Sequence, residues 1–377
     1  MDKKVYLAAC EQYDYDKLKA AVDTIFEELE LHTLIKPGTK VAIKPNLLMR
    51  SKPEAAVATH PLVVAAVGTK VKELGGIVKI AESGGGPYTG MMLKSSYSGC
   101  GYEAMAKQYG LELNYDCGYT EVKAPHGLRS KQFHIINPLL EADVIIDVAK
   151  LKSHCLTGLS GATKNMFGSV PGLMKPEFHC RFPDKKDFGM MLVDLCETVR
   201  PNIVFVDAIT AMEGNGPSGG HPRHIGTLLG GTSPYCVDLV CAKLIHMEPR
   251  EIQMLDSAIE RQLCPESIDG LTLLGDPVEQ FIPEEFVQPE SKSNDFIGRV
   301  PKFLRPLADK IATPRPKIRK KDCVGCGKCA ESCPQHTIEI RQKKAVITYN
   351  KCIKCFCCHE MCPARAIDIQ RLTLFNL

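Results

Sequence analysis

A chain of 377 residues, 44% apolar and 24% charged, has room for two or three ordinary globular domains. Its net charge of +3 is too small to argue for nucleic acid, and no run approaches about eighteen uninterrupted apolar residues, so membrane insertion is not expected. The opening Met-Asp-Lys-Lys-Val-Tyr-Leu lacks a signal-peptide core, and a chain with many scattered thiols suits a reducing compartment, so the cytoplasm is the expected location.

From residue 1 to 283 the pattern alternates strand and helix. Val5–Ala9 reads as a first strand, and Tyr15–Leu29 carries Leu18, Val22, Ile25 and Leu29 at helical spacing. Lys40–Lys44 is a second strand ended by Pro45, and His60–Leu74 is a helix closed by Gly75 and Gly76. Ile77–Ala81, Asp143–Val148 and Ile203–Val206 read as further strands, with helices over Phe188–Val199, Tyr235–Met247 and Glu251–Leu263. Near-continuous apolar strands between amphipathic helices predict an α/β domain, a mostly parallel sheet with flanking helices, in one sheet or two lobes.

This domain has neither G-x-G-x-x-G after its first strand nor G-x-x-x-x-G-K-[ST], so dinucleotide and P-loop chemistry lose their usual support. It has instead three glycine-rich turns at strand ends, Glu82–Pro87, Gly158–Asn165 and Glu213–Gly220. Ligands of open α/β sheets bind at that edge, where glycine lets backbone N–H groups approach an anion. Lys44, Asn46, Gly84, Gly85, Lys152, Lys164 and Asn165 are therefore the candidate ligand-binding residues, beside glycine's ordinary use in loops. His154 is the candidate proton-transfer group, against a structural histidine held in a loop. Asp207 and Glu213 bracket a strand end and suit a metal, a hydroxyl or a turn cap. His221 and His224 have metal-like spacing without a third ligand and are not expected to bind one.

Prolines and few apolar runs mark residues 284–319 as a basic linker, ending in Arg315-Pro-Lys-Ile-Arg, with docking to an acidic redox partner or to the carboxylates of the large domain as the sharper alternative. Residues 320–377 hold the strongest signal. Cys323, Cys326, Cys329, Cys333 and Pro334 recur with the same spacing as Cys352, Cys355, Cys358, Cys362 and Pro363. The duplicated C-x-x-C-x-x-C-x-x-x-C-P run is the ligand pattern of a two-cluster bacterial-type ferredoxin, in which the fourth cysteine serves the other cluster. That assigns Cys323, Cys326, Cys329 and Cys362 to one [4Fe-4S] cluster, and Cys352, Cys355, Cys358 and Cys333 to a second. A zinc site is the alternative, disfavoured by two identical quartets. Thr337–Ile340 and Ala345–Thr348 around a polar turn predict a β-hairpin within this small α+β ferredoxin-like domain, and each proline is expected to open a short helix. Cys357 departs from the simple pattern: it is a competing ligand, or it faces away from the cluster if the loop follows its usual path.

Taken together, Lys44-Pro-Asn46-Leu-Leu, Glu82-Ser-Gly-Gly-Gly, Lys150-Leu-Lys-Ser-His154, Gly161-Ala-Thr-Lys-Asn165 and Asp207–Pro217 resemble domain-of-unknown-function family 362, often fused to a C-terminal two-cluster ferredoxin. The resemblance spans nearly the whole chain and implies iron–sulfur cluster binding, with no agreed substrate. The expected function is electron transfer through the two clusters to a reaction or bound cofactor in the α/β domain, as in a ferredoxin-fused oxidoreductase. The expected partner is accordingly a redox protein or a small molecule. The alternatives are a carrier whose α/β domain docks a redox enzyme or binds a small anion, and a metal-handling role.

Overall fold

The computed structural model describes residues 3–291 and 314–370. Among the described residues the strands are β1 Lys4–Ala9, β2 Lys40–Pro45, β3 Ile77–Ile80, β4 Glu112–Leu113, β5 Tyr119–Lys123, β6 Gln132–Ile136, β7 Val144–His154, β8 Gly158–Ser160, β9 Ile203–Glu213, β10 His221–Gly231, β11 Thr272–Gly275, β12 Arg315–Ile318, β13 Ile338–Arg341, β14 Lys344–Ile347 and β15 Ile367–Gln370. One large sheet runs β11-β1-β10-β9-β7-β2-β3-β4, with β8 paired to β7. The pairs β2/β3, β2/β7, β3/β4, β7/β9 and β1/β11 are parallel, as expected. The pairs β1/β10, β9/β10 and β7/β8 are antiparallel, so the sheet is mixed though mostly parallel.

Alternation along the central strands feeds two cores. Ile145, Ala149 and Leu151 of β7 and Val204, Val206 and Ala208 of β9 face one side. Val144, Ile146 and Val148, with Ile203, Phe205 and Ile209, face the other. Side chains that point alternately to both faces let one strand anchor both helical layers. Helices Lys185–Val199 and Pro234–Leu244 cover the first face, and Tyr15–Glu28 and Pro61–Glu73 the second.

The chain leaves β2 toward β3 on one side, while β7 lies on the other side of β2 and leads to β9. This reversal is a topological switch point, and the parallel strands end there on one edge. β7 continues past the last β2 pairing, Pro45 with Val148, as far as His154, and all of its residues are buried. Lys152 and His154 are thus held on a rigid strand, where the expected strand stopped at Val148.

The linker boundaries differ from expectation at both ends. Phe286 packs in the first core, and Gln288 Nε2 donates to Ile245 O at 2.6 Å, so residues 284–291 belong to the α/β domain. Arg315–Ile318 is strand β12, paired antiparallel with β15. The remainder of that segment, 292–313, lies outside the described residues. The hairpin β13/β14 forms as the sequence implies. The two short ferredoxin helices, Lys328–Glu331 and Cys357–Glu360, precede Pro334 and Pro363 instead of following them. A positive-φ residue, Gly327 or Phe356, starts each helix, which carries the third cysteine of its run. No helix among the described residues is long and apolar enough to cross a membrane.

Candidate functional site

The cysteine runs fold into two groups. Cys323, Cys326, Cys329 and Cys362 line one largely apolar cavity with Ile318, Ile340 and Ile367. Cys358 lies in the electrostatic field of Cys355, Cys352 and Cys333. Four thiols converging in an apolar pocket are the donor set a cubane requires, so the residues fit the group. Among the described residues, no three His, Cys, Asp or Glu side chains gather as they would around a single metal ion.

The ferredoxin domain docks on the third glycine-rich turn. His359 Nε2 meets Asn215 O at 2.9 Å and its Nδ1 meets Ile367 O at 2.6 Å. Ser218 Oγ donates to Glu360 O at 2.7 Å, and Arg365 Nη1 to Gly220 O at 3.3 Å. A Cβ on Gly219 would collide with the His359 ring. That turn was expected to face a ligand; it cradles the second cysteine loop.

The first run also reaches the α/β domain, through Gln335 Nε2 to Cys180 Sγ at 3.2 Å, but the second loop makes the closer contact, and comparing the two runs shows the difference. Lys328, Ala330 and Ser332 of the first correspond to Cys357, His359 and Met361 of the second. Glu331 and Glu360 occupy the same place in each repeat. Glu331 is exposed and pairs with Lys328 at 3.0 Å, whereas Glu360 is buried against the α/β domain.

Docking closes a chamber of about 70 Å³ between the domains. One wall comes from Cys357, Glu360 and Met361. The other comes from the ends of β2, β3 and β7, with Asn46, Gly84, Gly85, Lys152, His154, Lys164 and Asn165. The structure therefore brings together every predicted ligand residue except Lys44, which sits just behind, paired with Glu82 at 2.8 Å. Sequence reasoning missed Lys175, His179, Glu82 and Glu360. Lys175 and His179 lie on a helix, Met174–Arg181, that carries no motif.

The chamber is cationic. Among the described residues, Lys152, Lys164 and Lys175 form no ion pair. Lys152 Nζ donates to Asn46 Oδ1 at 2.7 Å and Val57 O at 2.9 Å. Lys175 Nζ donates to Ser83 O at 2.6 Å and Gly84 O at 2.9 Å. Lys164 Nζ lies 4.9 Å from the centre of the Phe167 ring. The Asn46 amide donates to Asn165 Oδ1 at 3.0 Å, and Asn165 Nδ2 donates to Asp147 Oδ1 at 2.5 Å, which fixes both amides. The backbone N–H groups that open helix Ala162–Asn165 are not free for a ligand. Asp238 takes those of Ala162 and Thr163 at 2.7 and 2.9 Å. The cationic groups left to meet a ligand in the chamber are the lysines.

His154 Nδ1 accepts from Leu156 N at 3.1 Å and Thr157 N at 3.4 Å, so a neutral ring carries its proton on Nε2. Burial holds its pKa well below the usual histidine range, helped by Lys164 and Lys152. Its Nε2 faces Glu360 Oε1 at 3.5 Å, and neither atom has a hydrogen-bond partner among the described residues. These two buried polar atoms are the unsatisfied pair on the chamber wall.

Burial pushes Lys152 down to about 7; Lys164 and Lys150 add to the effect, and Glu360 and Glu82 oppose it. Lys175 is likewise brought to about 7 by burial, with Glu82 opposing and Lys44 and Lys164 assisting. Unfolded lysine titrates near 10.4. The unliganded protein therefore gains stability from these residues as pH rises from about 7 to about 10. An anion in the chamber has the opposite preference. Sulfate, whose charge is constant, is expected to raise the thermal midpoint more at about pH 6 than at about pH 8.5. Equal shifts would place the anion elsewhere.

Other candidates are not at this site. Asp207 lies within β9, paired with Lys150 at 2.8 Å, and holds no open coordination position. Glu213 Oε2 accepts from Val287 N at 3.0 Å. His224 Nε2 lies 3.1 Å from Glu11 Oε2 on the surface. Cys357 is buried and lines the chamber between the domains.

Fold and site together define an iron–sulfur protein in which a ferredoxin-type domain is docked on the ligand edge of an α/β domain. The chain belongs to the family described as a domain of unknown function (DUF362), matched over residues 41–243, and it carries a 4Fe-4S dicluster domain over residues 315–363. It is 31% identical over 284 residues to the thylakoid-associated protein sll1697 of Synechocystis sp., covering 74% of this chain and 86% of that one. Among solved structures, the lactate racemase apoprotein of Thermoanaerobacterium thermosaccharolyticum aligns with a TM-score of 0.38 at 13% identity, over 62% of this chain and 57% of that one. A protein from Thermotoga maritima aligns at a TM-score of 0.39, also at 13% identity, over 64% and 61%.

Proposed function

We propose that this is an electron-transfer protein whose ferredoxin domain serves an anionic small molecule held in the interdomain chamber. The observation that carries this reading is that the second cysteine loop itself, through Cys357, Glu360 and Met361, forms a wall of the chamber. Two [4Fe-4S] clusters, held by the two cysteine quartets, would supply one-electron chemistry when bound. The protein's own groups supply the rest. Lys152, Lys164 and Lys175 bind and neutralise the anion, and their desolvated charges act more strongly there than in water. Asn46 and Asn165 orient it. His154, its tautomer fixed by two backbone N–H groups, presents the Nε2 proton to the atom that gains charge. Phe167, Leu48 and Met361 keep bulk water out. The ten cysteines outside the two quartets, none of them in a disulfide, suit the reducing cytoplasm, where we place the protein.

The test is native mass spectrometry of protein purified without oxygen, alongside the Gly219→Val variant. Valine there pushes on His359 and undocks the ferredoxin domain without touching a cysteine. Wild type is expected to carry a small anionic molecule beyond its clusters, and the variant to keep its iron and lose that molecule. Cluster mass alone in both, with reduced protein reoxidised only by added redox proteins, would overturn the reading.

A further inference from the structure

A second cavity, of about 270 Å³, adjoins the cationic chamber. The two share Leu48, Glu82, Gly84, Gly85 and Met361 as lining, so they meet at one sill. The sill is backbone on the α/β side, because a side chain at Gly85 would strike Met361 Sδ. Beyond it the walls change character. Leu47, Met49, Met92, Leu93 and Tyr97, with Met361 and Pro363, make the lining largely apolar, although Arg50, Lys328, Ser95 and Ser96 also line it. Tyr97 spends its hydroxyl on Ile80 O at 3.3 Å, so its ring offers only an apolar face. Three methionines give a wall that adapts to varied shapes.

We infer that the molecule held here is amphiphilic, with an oxyanion head (carboxylate or phosphate) bound by Lys152, Lys164 and Lys175 and an apolar body lying over Gly84 and Gly85 in the larger cavity. This rests on the electron-transfer reading above and names its substrate class. A free inorganic anion would fill the smaller chamber and leave the larger apolar one to water, which such walls do not solvate well. An uncharged apolar molecule would leave Lys152, Lys164 and Lys175, which form no ion pair among the described residues, without an anionic partner. Only a head joined to a body meets both demands. Convergent polar groups at one end of a mostly apolar cleft are the ordinary anatomy of a small-molecule site.

The probes are acetate, octanoate and octan-1-ol, titrated calorimetrically into anaerobically purified, cluster-loaded full-length protein. Octanoate is expected to bind at least about ten-fold tighter than acetate or octanol. Lys175→Gln should weaken octanoate by about ten-fold and leave octanol unchanged. Met92→Trp, which fills the apolar cavity, should reduce octanoate to the level of acetate. Ser96→Phe fills the same cavity from the next helical turn and replaces it if Met92→Trp loses iron or thermal stability. If acetate binds as tightly as octanoate and remains sensitive to Lys175→Gln, the amphiphile is wrong and the anion chamber stands. Octanol binding as tightly as octanoate overturns the head group. Failure of all three probes overturns both the amphiphile and the anion chamber on which it depends.

Discussion

Alanine at Asp207 is expected to destabilise the α/β domain by about 3–5 kcal/mol, measured by urea unfolding. The carboxylate is fully buried and accepts from Lys150 Nζ at 2.8 Å, Tyr13 Oη at 2.9 Å and His60 N at 2.9 Å. Removing it strands a buried ammonium whose pKa burial already lowers, with only the Tyr13 hydroxyl at 2.8 Å left beside it. The double variant Asp207→Ala with Lys150→Met should recover much of the loss, because the cost lies in the uncompensated charge. Glu213→Ala, at the half-buried end of the same strand, should change stability by less than about 1 kcal/mol. A loss at Asp207 no larger than that would show the network to be incidental. Its position matters for the site, because Lys150 lies two residues before Lys152 on β7 and the network ties that strand to β9.

The second large effect concerns iron. Cys333→Ala, a change in the first cysteine run, is expected to abolish the cluster held by the second run and cut bound iron to about half. Metal binding and folding are coupled in such small domains, so thermal stability should fall with it. Cys357→Ala should keep all its iron. Iron retained by Cys333→Ala and lost by Cys357→Ala would make Cys357 the ligand and overturn the assignment.

The strands β1, β2 and β3 were legible because each is a short apolar run bounded by turn residues. The helix Pro234–Leu244, with Cys236 and Cys241 both buried, was legible for the same kind of reason. β10 was not. His221-Pro-Arg-His-Ile-Gly-Thr-Leu-Leu-Gly-Gly reads as a loop, and a bulge between His224 and Thr227 breaks its alternation. Its glycines are a packing requirement, since a side chain at Gly230 would strike Ile25. Lys44, Lys152, Lys164 and His154 were found because they lie at or near strand ends and the glycine-rich turns that follow them, a place with chemical meaning. Lys175 and Glu360 reach the site only through tertiary packing. Glu360 shows the limit well: its counterpart Glu331 has the same motif position and faces water. The one local hint was the run Cys357-Cys358-His359-Glu360, too apolar and too rich in special side chains for an exposed loop.

The chamber has its two walls on different domains, and this makes its contents a fastener. By thermodynamic reciprocity, the factor by which docking tightens the ligand equals the factor by which the ligand tightens docking. An occupied protein is therefore more firmly assembled than an empty one. Release of the molecule and loosening of the ferredoxin domain become one event, so the dwell time of the ligand and the lifetime of the docked state run on the same clock.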